Sequence, residues 1–393
     1  MRRLIVEPFQ AIQPAAPIFI VVDGLDECDD DGPESSFLLA LGKLVSEIPS
    51  LRFFITSRPE KHIMSGIRSP LLKGLMDTSI LHHVDPRIVD NDIRHFFKHE
   101  LSALARRRGR TDGWPTSEQL DLLNQRAGGL FIYAAATVNF LDHHIRDPED
   151  QLDAIIRSPK STVHEGETAL GVYASLDSLY MAILQGSFRK NRPKDDEMVR
   201  CVLSAVVLAA NPLPPSVIAR LTGFHRDHVQ RILELLESLL ILPEDPNSPV
   251  QPLHKSFPDF ITDSTRCTDT RFCISPSHHT ELVLRCLRIM DKSLKKNMCS
   301  IPDYFLNSEV KDLSKRLEKS GIRGALEYAC SSWHKHLVST EGRTTDAVFA
   351  LRVFLEKNLL FWLEVSSMLG VVDDAKCALG ETIKWLGKVC TGR

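Results

Sequence analysis

The chain has 393 residues, with 48 Lys and Arg against 51 Asp and Glu and a formal net charge of −3 at pH 7 with histidine neutral. That length holds roughly two or three domains, and so even a charge balance gives no electrostatic reason to expect nucleic acid or a membrane surface as a partner. The nine cysteines are scattered, form no C-x-x-C pair and are odd in number, which fits free thiols in a reducing cytoplasm rather than a disulfide framework.

At the amino terminus Arg2 and Arg3 precede a short apolar stretch broken by Glu7 and Pro8, which is not a signal peptide. The first strong signal is Ile18 to Val22 followed by Asp23-Gly24-Leu25-Asp26-Glu27. The second is Leu51 to Ile55 followed by Thr56-Ser57-Arg58-Pro59. Short apolar runs ending abruptly in polar residues predict strands of a parallel sheet buried on both faces. Active sites of α/β sheets gather at the carboxyl ends of the strands. Carboxylates there can hold a magnesium ion and orient a water, and an arginine can meet a phosphate. Between the strands, Asp29 to Pro33 reads as a turn and Phe37 to Ile48 has helical apolar spacing. Ser79 to Val84 reads as a further strand, and Asp92 to Ala105 as a helix with Ile93, Phe96, Phe97, Leu101 and Leu104 on one face.

Later elements are helical. The basic cluster Arg106-Arg107-Arg108-Gly109-Arg110 reads as a solvated helix end, where cations suit the dipole. Gly128-Gly129 precedes an apolar helix, Leu130 to Leu141, and permits close approach of backbone to a neighbour or ligand. Asp195 to Ala210 is an apolar helix and Pro214-Pro215 opens the next. Asp227 to Gln230 has capping-box spacing, and Val229, Ile232, Leu233, Leu236, Leu239 and Leu240 form a stripe. Val202 to Ala210 is the most apolar later run and is too short to span a bilayer. Helical patterns recur at Leu282–Leu294, Val310–Leu317, Ile322–Leu337, Ala347–Leu369 and Asp374–Val389, with Trp333, Phe361, Trp362 and Trp385 on core faces.

Asp23-Gly24-Leu25-Asp26-Glu27 after an apolar strand resembles the Walker B segment of NACHT-type STAND NTPases, and Phe54 to Pro59 resembles their sensor segment. Ala127 to Ala134 resembles their helical "GGLPL" segment, Leu176 to Tyr180 a helix leading into the winged helix, and Leu253 to Phe260 the winged-helix "H-x-S-F-x-D-F" segment. The chain is most similar to the fungal group in which the NACHT module precedes WD or ankyrin repeats, which includes vegetative-incompatibility proteins and relatives of nephrocystin-type NTPases. The implied class is α/β followed by mostly α: the distal half of a P-loop NTPase sheet (1–85), a helical domain (86–160), a winged-helix domain (161–265) and a helical extension (266–393).

The resemblance also implies roles. Asp23 holds Mg2+, and Asp26 and Glu27 polarise the attacking water. Arg58 senses the γ-phosphate with Thr56 and Ser57 beside it. Gly129 and Phe131 lie near the adenine, and His254 meets the ADP β-phosphate. Phe131 stands where many relatives have proline. The implied ligands are ATP or ADP, and the implied partners are proteins, including further copies through the NACHT module. Glu234 and Glu237 on the outer face favour a scaffold role over DNA binding. No G-x-x-x-x-G-K-[ST] occurs in the chain, so the phosphates lack their usual cradle and hydrolysis by this chain is not expected. A non-catalytic interaction or regulatory scaffold is the rival expectation, and a truncated gene model a third. In the resembled family the P-loop strand lies between the Asp23 and Arg58 strands. Without it those strands either pair directly, take in a segment such as Leu4 to Val6, or leave a loose sheet.

Overall fold

The computed structural model describes residues 7–8, 16–27, 34–48, 50–70, 72, 74–79, 84–110, 113–143, 147–157, 170–188, 193–302, 310–340 and 345–391. The chain divides into two compact units, Met1–Asp85 and Pro86–Arg393.

In the first unit, β1 (Ile18–Val22) and β2 (Leu51–Ile55) pair in parallel, with Ile18 opposite Leu51 and Val22 opposite Ile55. The strands therefore pair directly. Helix α1 (Glu34–Glu47) connects them, as a parallel pair requires a crossover. Leu41, Leu44, Ile48 and Leu51 are buried, with Ile18, Ile20, Phe53 and Ile55 against them. Helix α2 (Lys61–Ile67) adds Ile63, which clusters with Leu25 and Leu38 beside Val22 and Ile55. Both helices thus use the same set of strand side chains. Side chains alternate along a strand, so the other set, Phe19, Val21 and Phe54, stays 70%, 66% and 62% exposed. The expectation of strands buried on both faces is corrected here: one helical layer covers one face. The expected strand at Ser79 to Val84 falls largely outside the described residues, as do Leu4 to Val6 and Cys28 to Pro33.

The second unit is almost wholly helical. Helix α3 (Pro86–Arg107) buries Ile93, Phe97, Leu101 and Leu104. Helix α4 (Ser117–Ala127) opens on a capping box: Gln119 N–H donates to Thr116 Oγ1 at 3.2 Å and Thr116 N–H to Gln119 Oε1 at 3.0 Å. Helices α5 (Phe131–His143), α6 (Pro148–Arg157) and α7 (Leu170–Ser187) follow. Then come α8 (Pro193–Val207), a bridge between Leu213 and Val250, α9 (Pro215–Thr222) and α10 (Arg226–Glu234). Strands β3 (Leu240–Ile241) and β4 (Gln251–Pro252) pair antiparallel. Pro215 sits at the start of α9, where its missing N–H costs nothing. The expected capping box at Asp227–Gln230 does not form. The N-cap of α10 is His225, whose Nδ1 accepts from Asp227 N–H, because the helix begins two residues earlier than the spacing implied.

Helices α11 (Ser256–Ile261), α12 (Ser277–Ser293), α13 (Leu313–Lys319) and α14 (Ala325–Val338) continue the same core. The expected single helix Ala347–Leu369 is two, α15 (Thr345–Lys357) and α16 (Leu359–Leu369), broken at Asn358. Asn358 is buried and its side chain donates to Asp291 Oδ1 at 3.2 Å. Trp333, Phe354 and Trp362 meet edge-on or tilted at 5.2–5.8 Å, and α17 (Val372–Thr391) closes the described chain.

Candidate functional site

The chemistry predicted for the first unit lies where β1 and β2 end side by side. Thr56 N–H donates to Val22 O at 2.9 Å and Leu25 N–H to Thr56 O at 2.9 Å, so pairing continues one step past both strands. Gly24 has φ +68°, a left-handed conformation that glycine adopts freely, and this turns the chain sharply after Asp23. The Thr56 hydroxyl accepts from Gly24 N–H at 2.9 Å and donates to Asp23 Oδ1. Asp23 remains exposed.

The 3-10 turn Leu25–Glu27 buries Leu25 and swings Asp26 toward β2. Asp26 Oδ1 accepts from Arg58 N–H at 3.0 Å and lies 3.5 Å from Ser57 Oγ. Arg58 Nε lies 3.6 Å from Asp26 Oδ2, with the aspartate side chain only 4% exposed. Arg58, expected as a phosphate sensor, is therefore engaged with a carboxylate of the same site. The Glu27 side chain lies outside the described residues.

Mg2+ binds through one or two carboxylates and retains several waters. Asp23 alone, exposed and already oriented by Thr56, fits that mode. No group of three or more His, Cys, Asp or Glu arranged to hold a metal occurs among the described residues.

In the second unit Gly128 is the left-handed cap of α4 (φ +54°) and Gly129 follows at φ +79°. No described atom lies within 4 Å of the place a Cβ would take at either. Within the chain they serve the turn rather than a close approach. Phe131 is 46% exposed and meets Phe96 edge-on at 5.9 Å.

His254 precedes α11. Phe257 and Phe260 of that helix are buried against Tyr180 at 5.4 and 5.5 Å. The Tyr180 hydroxyl lies 2.8 Å from Ser256 Oγ, which lies 2.7 Å from His254 Nδ1. Ser256 N–H donates to the same Nδ1 at 3.1 Å. An acceptor Nδ1 places the proton of the neutral ring on Nε2. Burial pushes the Tyr180 hydroxyl up to about 12, with the Ser256 bond opposing. The motif thus splits its labour: its aromatics anchor the segment and its serine sets the histidine tautomer.

Residues 1–58 match the family model described as Nephrocystin 3, N-terminal. The match covers β1, α1 and β2 and ends at Arg58. Nothing among curated proteins or solved structures matches the chain.

Three features escaped the sequence reading. Asp177 of α7 makes a two-point bond with Arg266, at 2.7 and 3.0 Å, and both side chains are about 15% exposed. The basic cluster is not simply solvated. Arg107 pairs with Asp142 at 2.8 Å, Arg108 donates to Asp142 O at 2.8 Å, and Arg110 pairs with Asp147 at 2.7 Å while lying over Trp114. The third is a row of hydrogen bonds through Tyr328, His336 and His279. Tyr328 Oη lies 2.7 Å from His336 Nε2, and His336 Nδ1 lies 3.0 Å from His279 Nδ1. Such partners lie 34 to 89 residues apart, or, for Tyr328 and His336, about two helix turns apart, and carry no motif.

A cleft of about 500 Å3 lies between α10 and the β3–β4 turn. It is bordered by Arg226 and Arg231 but also by Asp227, Glu234 and Glu244, a mixture that does not suit a phosphate backbone. No helix among the described residues is long and apolar enough to cross a membrane.

Proposed function

We propose that this chain is the distal part of a NACHT-type STAND switch. It would carry the Walker B and sensor segments, a helical domain, a winged-helix module and a helical extension. In the parent lineage ADP holds a closed state and exchange for ATP permits assembly. The single observation that supports this most is the bonded junction at the ends of β1 and β2. Asp23 and Asp26 meet Thr56 and Arg58 across adjacent parallel strands, where such a site belongs. The order α8, bridge, α9, α10, β3, β4 supports a winged helix at 161–265. The resemblance gives Gly129 and Phe131 a role near an adenine and His254 a role at a phosphate, and the Nε2–H tautomer of His254 fits a phosphate donor. When bound, Mg2+ would sit on Asp23 and neutralise phosphate charge.

The role proposed is control rather than turnover, in the cytoplasm and with protein partners, further copies among them. No G-x-x-x-x-G-K-[ST] lies in these 393 residues, and among the described residues of this junction Arg58, which would offset phosphate charge beside Asp23 and Asp26, already lies against Asp26. A non-catalytic scaffold is the second reading, favoured by the burial of Asp26 against the Arg58 backbone, which leaves little room to orient a water.

The test is phosphate release from Mg·ATP by the full chain, expected at the level of a blank. Steady release that disappears in Asp26→Ala or Glu27→Ala would refute it. In a fusion carrying a family P-loop segment upstream, His254→Ala should speed ADP release. An unchanged rate there removes His254 from the site.

A further inference from the structure

We propose that Cys267 and Cys273 form a reversible oxidation site, which a peroxide closes to a disulfide. The two thiols lie against each other in the segment after α11, each within hydrogen-bonding reach of the other. Backbone bonds hold them there. Cys267 N–H donates to Asp263 O at 2.8 Å and Cys273 N–H to Asp269 O at 3.1 Å. Ile274 N–H reaches back to Ile261 O at 2.8 Å, which folds the segment onto the end of α11. The segment is also tied to other elements. Arg266 pairs with Asp177 of α7, Asp269 accepts from Gln185 of α7 at 3.3 Å, and Thr270 O accepts from Arg200 of α8 at 3.2 Å.

Exposure and bonding set the order of events. Cys267 is 1% exposed, while Cys273 is half-buried. The bond between the thiols favours the thiolate of Cys273 and disfavours that of Cys267, so Cys273 is the nucleophile. Its thiolate attacks one peroxide oxygen and the O–O bond breaks. Cys273 becomes a sulfenic acid, and the departing hydroxide takes up the proton that the thiol gave away. The Cys267 sulfur then attacks the Cys273 sulfur. The S–O bond breaks, a second water leaves with the Cys267 proton, and the disulfide forms. Two thiols have lost two electrons and one peroxide has become two waters. A dithiol reductant reverses the change.

Among the described cysteines, Cys286 and Cys330 also influence one another, yet both are sealed in the core at 0% and 3% exposure. Burial holds Cys267 and Cys273 above the ordinary thiol range, Cys267 at about 12. Asp269 beside Cys267 and Asp263 beside Cys273 push the same way. Oxidation is therefore slow at neutral pH and speeds by about tenfold per pH unit while the thiol form dominates.

The test treats the full chain with hydrogen peroxide, caps the remaining thiols and digests with trypsin without reductant. Cleavage after Arg266, Arg271 and Arg285 puts the two cysteines on separate peptides, one from Cys267 to Arg271 and one from Phe272 to Arg285. The expected result is one linked species that dithiothreitol separates. Cys267→Ala should stop at a sulfenic acid on Cys273, trapped by dimedone, and Cys273→Ala should leave Cys267 a thiol at the same dose. The oxidised chain should melt several degrees higher, because the link constrains the unfolded state. Unlinked peptides from a chain whose exposed Cys377 has been oxidised overturn the proposal. So does a link that forms only in urea, which would place the two sulfurs apart in the folded chain. No nucleotide enters either outcome.

Discussion

Acid should unfold the helical unit through His336. This side chain is 1% exposed on α14 and lies between Tyr328 and His279. Ala210 N–H donates to the Tyr328 oxygen at 3.2 Å. One proton order satisfies the row: Tyr328 O–H to His336 Nε2, then His336 Nδ1–H to His279 Nδ1. A second proton on His336 takes Nε2 as well and leaves the tyrosine proton without its acceptor. Burial is the main cause that pulls His336 from 6.5 down to about 3, with His279, His334 and Lys335 pushing the same way. His279 is lowered too, chiefly by burial.

The unfolded chain takes the proton near 6.5 and the folded chain only near 3, so the unfolded state binds more protons throughout that window. The contribution is complete above pH 6.5 and is lost as pH falls toward 3. At about 1.4 kcal/mol per pK unit the full loss is roughly 5 kcal/mol. Between pH 6.5 and 4.5 the carboxylates lowered by their partners, Asp263, Asp269 and Glu281, remain ionised, so the slope there belongs to histidines. The assay is urea unfolding followed by tryptophan emission, since Trp114, Trp333, Trp362 and Trp385 all lie in the second unit. Wild type should lose roughly 2–3 kcal/mol over those two pH units through His336, and His336→Gln, less stable at pH 7, should show a correspondingly flatter dependence. Equal slopes in both proteins, or a His336 ring that titrates above pH 6 in the folded state, would refute the reasoning.

Two further outcomes follow from the packing. Arg266→Met leaves Asp177 partly buried without its partner and should cost about 2–3 kcal/mol in chemical denaturation. Adding Asp177→Asn should recover part of that loss, and no recovery would mean that the pair is not the source. Amides of β1 and β2 should exchange with solvent much faster than those of α14, because a two-stranded sheet with one covered face has little to hold it closed. Equal protection in a monomer would contradict this.

Several elements were legible in the chain because local chemistry settles them. Ile18–Val22 and Leu51–Ile55 declare themselves as strands by β-branched and aromatic runs cut off by polar residues. The stripe Ile93, Phe97, Leu101 and Leu104 declares a helix by its spacing, and all four side chains are buried. Pro215 and Gly223 mark the start and stop of α9 through a missing donor and a left-handed cap. Where reading failed, an interaction outside the expected motif won. His225 captured the cap at α10, and the bond from Asn358 to Asp291 accompanies a break in a pattern that reads as one helix.

The sequence by itself determined two strand-forming runs ending in polar residues, followed by a mostly helical chain, because periodicity and turn residues act over a few positions. It also placed the polar residues Asp23, Asp26, Thr56 and Arg58 at strand ends. Only the tertiary structure decided that Thr56 binds Asp23 while Arg58 binds Asp26, since that depends on which strands become neighbours and in what register. It alone decided that Phe19, Val21 and Phe54 stay open, because covering a face takes a second layer and not a second pattern. The same holds for His336: its ring becomes hard to protonate only when helices far apart in the chain exclude water around it.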